Sequence, residues 1–169
     1  ACQAGVEMVL TSELALCGYL PEDRLLEPGY REWVIRQSQE MMGQIGEVPL
    51  LLGTFSQSPS GKLFNELWFC QGGKVLQKVQ KNLFDTELYD EARYFEGGEP
   101  AATIEFKGER LAVLLGERAF EEAGAVTGAS LVLCVTASAG HLGSWIPEGK
   151  TAPWAVPSSF EKRQATLSG

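Results

Sequence analysis

One histidine, His141, and four scattered cysteines are all that the 169 residues offer toward a metal site. Cys2, Cys17, Cys70 and Cys134 show neither a Cys-x-x-Cys pair nor a Cys/His spacing that could close around zinc, so no metal centre is expected. Three of the four stand in or beside apolar runs, which favours buried thiols over disulfides. Positive charge is also scarce: fourteen Lys and Arg face twenty-two Asp and Glu, a formal net charge of −8. No basic run interleaved with aromatics is present to neutralise successive phosphates, which argues against nucleic acid as a partner. No stretch approaches the roughly 20 apolar residues of a membrane helix. The first residues, Ala1 to Gly5, lack the basic start and apolar middle of a signal peptide. A soluble, cytoplasmic protein with no membrane partner is the expectation.

What is present is a folding composition. Apolar residues make up 44% of the chain, enough for one globular domain with a real core. Nineteen glycines and eight prolines are spread along it instead of forming a tract, which excludes collagen-like and low-complexity classes.

The order of elements predicts an α/β protein. Val6 to Thr11 is short and mainly apolar, as for a strand buried on both faces. Between Pro28 and Ile45, Trp33, Val34, Met41, Met42 and Ile45 recur at near-helical spacing among charged residues, predicting an amphipathic helix closed by Gly46. Val48 to Phe55 is the next strand. Leu63 to Cys70 and Lys74 to Gln80 read as paired strands joined at Gly72-Gly73. Ala102 to Phe106 and Arg110 to Leu115 straddle a tight turn at Lys107-Gly108-Glu109, and Ser130 to Val135 is a further strand. A short helical stretch is expected near Phe120 to Ala123. After a Gly- and Pro-rich segment, a helix capped by Ser158 or Ser159 is expected over the last residues.

Three charged residues, Glu13, Lys81 and Glu117, stand where strands end, the place where α/β proteins build sites. Their surroundings are specific. Ser12 to Leu26 reads Ser-Glu-Leu-Ala-Leu-Cys-Gly-Tyr-Leu-Pro-Glu-Asp-Arg-Leu-Leu, and Lys81 precedes Tyr89-Asp90-Glu91-Ala92-Arg93-Tyr94-Phe95. The strand Leu111 to Leu115 runs into Gly116-Glu117-Arg118-Ala119-Phe120. The strand Leu131 to Thr136 runs into Ala137-Ser138-Ala139-Gly140-His141-Leu142-Gly143. In order and spacing these segments resemble the nitrilase (carbon-nitrogen hydrolase) superfamily, and in particular the glutaminase domain of glutamine-dependent NAD synthetases.

The resemblance implies a nitrilase-type α-β-β-α sandwich, present over residues 1–169 as a single partial domain incomplete at both ends. It implies a Glu-Lys-Cys triad that releases ammonia from glutamine. Glu13 takes the place of the general base, Lys81 that of the oxyanion stabiliser, and Gly116 that of the nucleophilic cysteine; Lys78 is the alternative lysine. Tyr19, Glu91, Glu117 and Ser138 are the candidates for the substrate side, with core packing a competing role for Tyr19. A glycine has no side chain to attack an amide carbonyl, so the thioester route is closed at position 116 as the sequence stands. Neither Cys17 nor Cys134 stands at the elbow where it could substitute. His141 falls in a His-Leu-Gly run that carries no triad role in the family. Two functions follow: a glutaminase domain altered at its nucleophile, or a catalytically inactive nitrilase-fold protein retained for assembly or ligand binding. No cofactor is expected in this chain. The partners implied are glutamine and, because a partial sandwich exposes sheet edges, either further segments or a second copy in a homo-oligomer.

Overall fold

The structure is a computed structural model that describes residues 5–19, 21–83, 90–98, 101–116 and 126–137. The chain divides into two units, Ala1–Ala137 and Ser138–Gly169, and the second lies outside the described residues. The helices expected near Phe120 and after Ser158 fall outside them too.

The first unit contains two sheets. Strands β1 (Val9–Leu10), β2 (Leu50–Gln57), β3 (Leu63–Gln71) and β4 (Lys74–Gln80) form one in the order β1-β2-β3-β4. Strands β5 (Ala101–Phe106), β6 (Glu109–Leu115) and β7 (Leu131–Val135) form the other in sequence order. The contacts β1·β2 and β6·β7 are parallel, and the remaining pairs are antiparallel. Both predicted hairpins close on residues with positive φ: Gly72 and Gly73 at +57° and +73°, Lys107 and Gly108 at +52° and +81°. Two successive positive values give a turn whose twist matches that of the flanking strands, so these pairs set the register on either side.

Alternation along β2 and β3 sorts side chains to two faces. Leu51, Leu67, Phe69 and Val79 pack against Ile104, Val113, Leu115 and Val135 of the second sheet, forming the inter-sheet core. Leu50, Leu52, Trp68 and Cys70 point the other way and meet Met41, Met42 and Ile45 at the end of α1 (Pro28–Gly43). Among the described residues the layers are therefore helix, sheet, sheet, three of the four that the resemblance implies.

Two predicted elements differ. The first strand is reduced to Val9–Leu10, outermost in its sheet among the described residues, with Leu10 45% exposed, so here its apolar run is not buried on both faces. The helix ends at Gly43 and not Ile45, because the chain turns there to hand Ile45 to the sheet.

Candidate active site

Between β1 and α1 the chain is stitched to β2. Thr11 N–H donates to the Leu51 carbonyl at 3.0 Å, Gly53 N–H donates to Thr11 Oγ1 at 2.8 Å, and Leu16 N–H donates to the Gly53 carbonyl at 3.2 Å. Glycine at 53 is required sterically. A Cβ there would fall on the Ser12 carbonyl oxygen and 2.9 Å from Leu14 N. Leu14, buried with φ +48°, then turns the chain sharply, and its carbonyl accepts from Gly18 N–H at 2.9 Å. A left-handed leucine is an uncommon, strained conformation of the kind that collects at functional sites. Together these contacts hold Glu13 1% exposed, on the inner side of the sheet.

Lys81 follows β4. Its N–H donates to the Asn65 carbonyl at 2.8 Å, and its carbonyl accepts from Gly98 N–H at 2.9 Å. Its ammonium lies 2.7 Å from Glu13 Oε1 and 2.9 and 2.8 Å from Glu91 Oε1 and Oε2. An ammonium has three N–H donors, and here three carboxylate oxygens face them. Burial alone would pull this lysine below its ordinary value, but the Glu13 and Glu91 carboxylates outweigh it and hold the ammonium above that value. Glu91, buried on the short 3₁₀ turn Glu91–Arg93, thus stands on Lys81 and supplies a second carboxylate to it.

Lys78, the alternative, projects from the opposite face of β4. Its ammonium is 3.2 Å from Glu66 Oε2 and 4.6 Å from the centre of the Trp68 ring. An odd separation along a strand reverses the face, so only one of the two lysines can meet Glu13, and it is Lys81.

Asn65 was not legible as a site residue. Its side-chain N–H donates to Glu13 Oε1 at 2.8 Å, and it is 1% exposed. The available signal was one polar residue among the inward positions Leu63, Leu67 and Phe69 of β3. The other oxygen of Glu13 accepts from Ala137 N–H at 3.2 Å, just after β7.

Gly116 completes the arrangement. It follows β6, donates its N–H to the Val135 carbonyl at 2.8 Å, and has φ +91°. A Cβ at this position would run into Lys81 Cε and lie 3.1 Å from its Cγ and Cδ. Glu13, Lys81, Glu91 and the backbone at 116 are therefore in one place. Tyr19 packs against the cluster of Leu14, Leu25, Val34 and Phe55. Glu117 and Ser138 lie outside the described residues.

Cys17, Cys70 and Cys134 form no disulfide. Burial pushes the Cys17 and Cys70 thiols up to about 11, which leaves little thiolate at neutral pH. No group of three or more His, Cys, Asp or Glu among these residues could hold a metal ion, and no helix among them is long and apolar enough to cross a membrane.

No protein-family model matches the chain. It is 30% identical over 121 residues, 67% of its length, to a glutamine-dependent NAD(+) synthetase of Synechocystis sp.. The chain spans only 22–26% of the length of the curated relatives it matches, all glutamine-dependent NAD(+) synthetases. Among solved structures, the glutamine-dependent NAD+ synthetase of Acinetobacter baumannii superposes with a TM-score of 0.76 at 22% identity, covering 85% of this chain and 28% of that one. An amidase of the nitrilase superfamily from Nesterenkonia AN1 superposes with a TM-score of 0.66 at 25% identity, covering 85% and 57%. The two-sheet architecture matches these neighbours, and the chain belongs to the nitrilase (carbon-nitrogen hydrolase) superfamily as a relative of the glutamine-dependent NAD synthetases.

Proposed function

We propose that this chain is a glutaminase-like domain that binds a carboxamide, glutamine foremost, and does not hydrolyse it. The observation that carries the reading is the state of position 116. Glycine there supplies no nucleophile, and the volume into which a side chain would project is filled by the Lys81 methylenes. Lys81 is also engaged with three carboxylate oxygens, so it reaches a developing oxyanion only if one of them gives way. The relatives are named for glutamine-dependent NAD synthesis, and supplying ammonia to that chemistry is the role an intact site would fill. The reading includes a cytoplasmic setting, no resident cofactor, and assembly with a second copy.

A competent glutaminase is the second reading, and the retained Glu13–Lys81 pair at 2.7 Å favours it. In that case water, deprotonated by Glu13, adds to the carboxamide carbon. The C–N bond then breaks, and the proton held by Glu13 leaves with ammonia.

The two readings separate on ammonia release and calorimetric titration with glutamine. The proposal expects saturable glutamine binding with no ammonia above background. Ammonia release that disappears in Glu13→Gln overturns it. Gly116→Cys and Gly116→Ala extend the test, because both force a side chain into a left-handed conformation costing on the order of 1–3 kcal/mol. Both variants melt lower than wild type, and only the cysteine variant can gain ammonia release.

A further inference from the structure

Asn65 holds both members of the Glu13–Lys81 pair. Its backbone carbonyl accepts from the Lys81 N–H at 2.8 Å, and its side-chain N–H donates to Glu13 Oε1 at 2.8 Å, so one residue of β3 grips the acid and the lysine together. The side chain is buried between Leu63 and Leu67 in the inward row, where the alternation of the strand calls for an apolar residue. Leucine would fill the same space.

Half of the amide is left over. Oδ1 is buried and has no hydrogen-bond partner among the described residues. Turning the amide over would set a carbonyl oxygen against a carboxylate, so only the donor end can face Glu13. A buried unpaired acceptor destabilises a fold, and what the side chain contributes is therefore the one bond made by its Nδ2. That bond has a directional consequence. Oε1 of Glu13 receives Lys81 at 2.7 Å and Asn65 at 2.8 Å, which occupies both of its lone pairs, while Oε2 receives among the described residues the Ala137 N–H at 3.2 Å. Oε2 keeps acceptor capacity that Oε1 has lost.

We propose that Asn65 is a positioning residue of this site: it locks Glu13 Oε1 onto Lys81 and thereby leaves Oε2 as the oxygen that accepts from a bound carboxamide N–H. The second half of this statement rests on the carboxamide reading above, and the first stands on the two bonds of Asn65. Glu91 cannot take the place of the asparagine, since both its oxygens are on Lys81 and a carboxylate has no proton to donate. A side chain that fills the space of Asn65 without donating would leave Lys81 alone on Oε1, and the Glu13 carboxylate free to turn about its terminal bond.

Thermal unfolding of the full chain in a double-mutant cycle tests this. Asn65→Leu removes the orphaned Oδ1 together with the donor; a hydrogen bond to a charged group outweighs the orphan, so the variant melts about 3–10 °C below wild type. In the Glu13→Met background no carboxylate is left to lose its donor, and Asn65→Leu lowers the melting temperature by less than about 1 °C or raises it. Losses that simply add, or Asn65→Leu melting at or above wild type, overturn the proposal. Circular dichroism identifies a misfolded Asn65→Leu, and Asn65→Asp then decides in the same cycle: its carboxyl repels Glu13, so its deficit shrinks when Glu13→Met is added, and an unchanged deficit overturns the proposal. Calorimetric titration with glutamine reads the positioning itself, which a purely structural role would not move. Asn65→Leu binds at least about tenfold more weakly than wild type, whereas Val79→Ala, a truncation in the inter-sheet core, melts lower and binds within about twofold of wild type. Equal affinity in wild type and Asn65→Leu overturns the proposal. Should wild type bind no glutamine, the carboxamide reading falls, and the unfolding cycle alone decides whether Asn65 positions Glu13.

Discussion

A lysine–glutamate cluster lies on each face of the same sheet, Lys78 of β4 with Glu66 of β3 on one and Lys81, just after β4, with Glu13 and Glu91 on the other, and the two differ in almost everything but composition. On the inner face the Lys81 side chain is 1% exposed and meets two carboxylates. On the outer face the Lys78 side chain is 41% exposed and meets Glu66, whose oxygens also accept from the Trp68 indole at 2.6 Å and the Gln80 amide at 3.0 Å. In the outer pair the buried partner is the acid, satisfied by neutral donors, and the lysine is accessory. In the inner pair the buried lysine is the hub, and its removal strands two acids. Burial, not the identity of the ions, decides which pair the fold depends on.

The sharpest way to break the contrast is Lys81→Met, which leaves the Glu13 and Glu91 carboxylates buried without their common cation. Breaking a buried pair by removing one partner costs about 3–5 kcal/mol, and urea unfolding should show a loss of that size. Alkaline pH probes the same hub without mutation. Folding raises the lysine above its ordinary value of 10.5, so the stabilisation is complete below that value and is lost as pH climbs through the higher folded one. Wild type should therefore lose melting temperature above about pH 10.5 more steeply than Lys81→Met, whose curve lacks that group. Parallel curves would mean the hub is not charged in the native state. The smallest effect is expected for Lys78→Met: a half-exposed ion pair contributes about 0–1 kcal/mol, and a loss equal to that of Lys81→Met would erase the distinction between the faces.

How much of this was visible in the sequence depends on the kind of signal. The Gly72-Gly73 and Lys107-Gly108 turns announced their hairpins because positive φ has few residue choices, and β4 has the predicted bounds of Lys74 and Gln80. The apolar run from Val6 to Thr11 yields only Val9–Leu10 as a strand among the described residues, because an apolar run does not report how much of it a neighbouring strand pairs. Periodicity could not choose between Lys78 and Lys81, since the answer depends on which face of β4 looks toward Glu13. Glu91, expected on the substrate side, stands on Lys81, a contact across ten residues of chain that no local pattern encodes. Asn65 illustrates the converse: a polar residue in an inward row is a visible anomaly, yet its partner, 52 residues away, is not. The gathering of positions 13, 81 and 116 came from family likeness alone, because side-chain spacing carries no information on how two sheets stack.

Gly53 shows how a position with no functional group can govern one that has it. Because the Ser12 carbonyl rests where a Cβ would be, the segment bearing Glu13 approaches the strand more closely than any alanine would permit. A methyl group at that spot would act as a wedge, lifting the acid-bearing loop off its anchor and opening the charge cluster from the side. In a library randomised at residue 53, tolerance should collapse to a single amino acid even though the residue itself touches neither proton nor ligand.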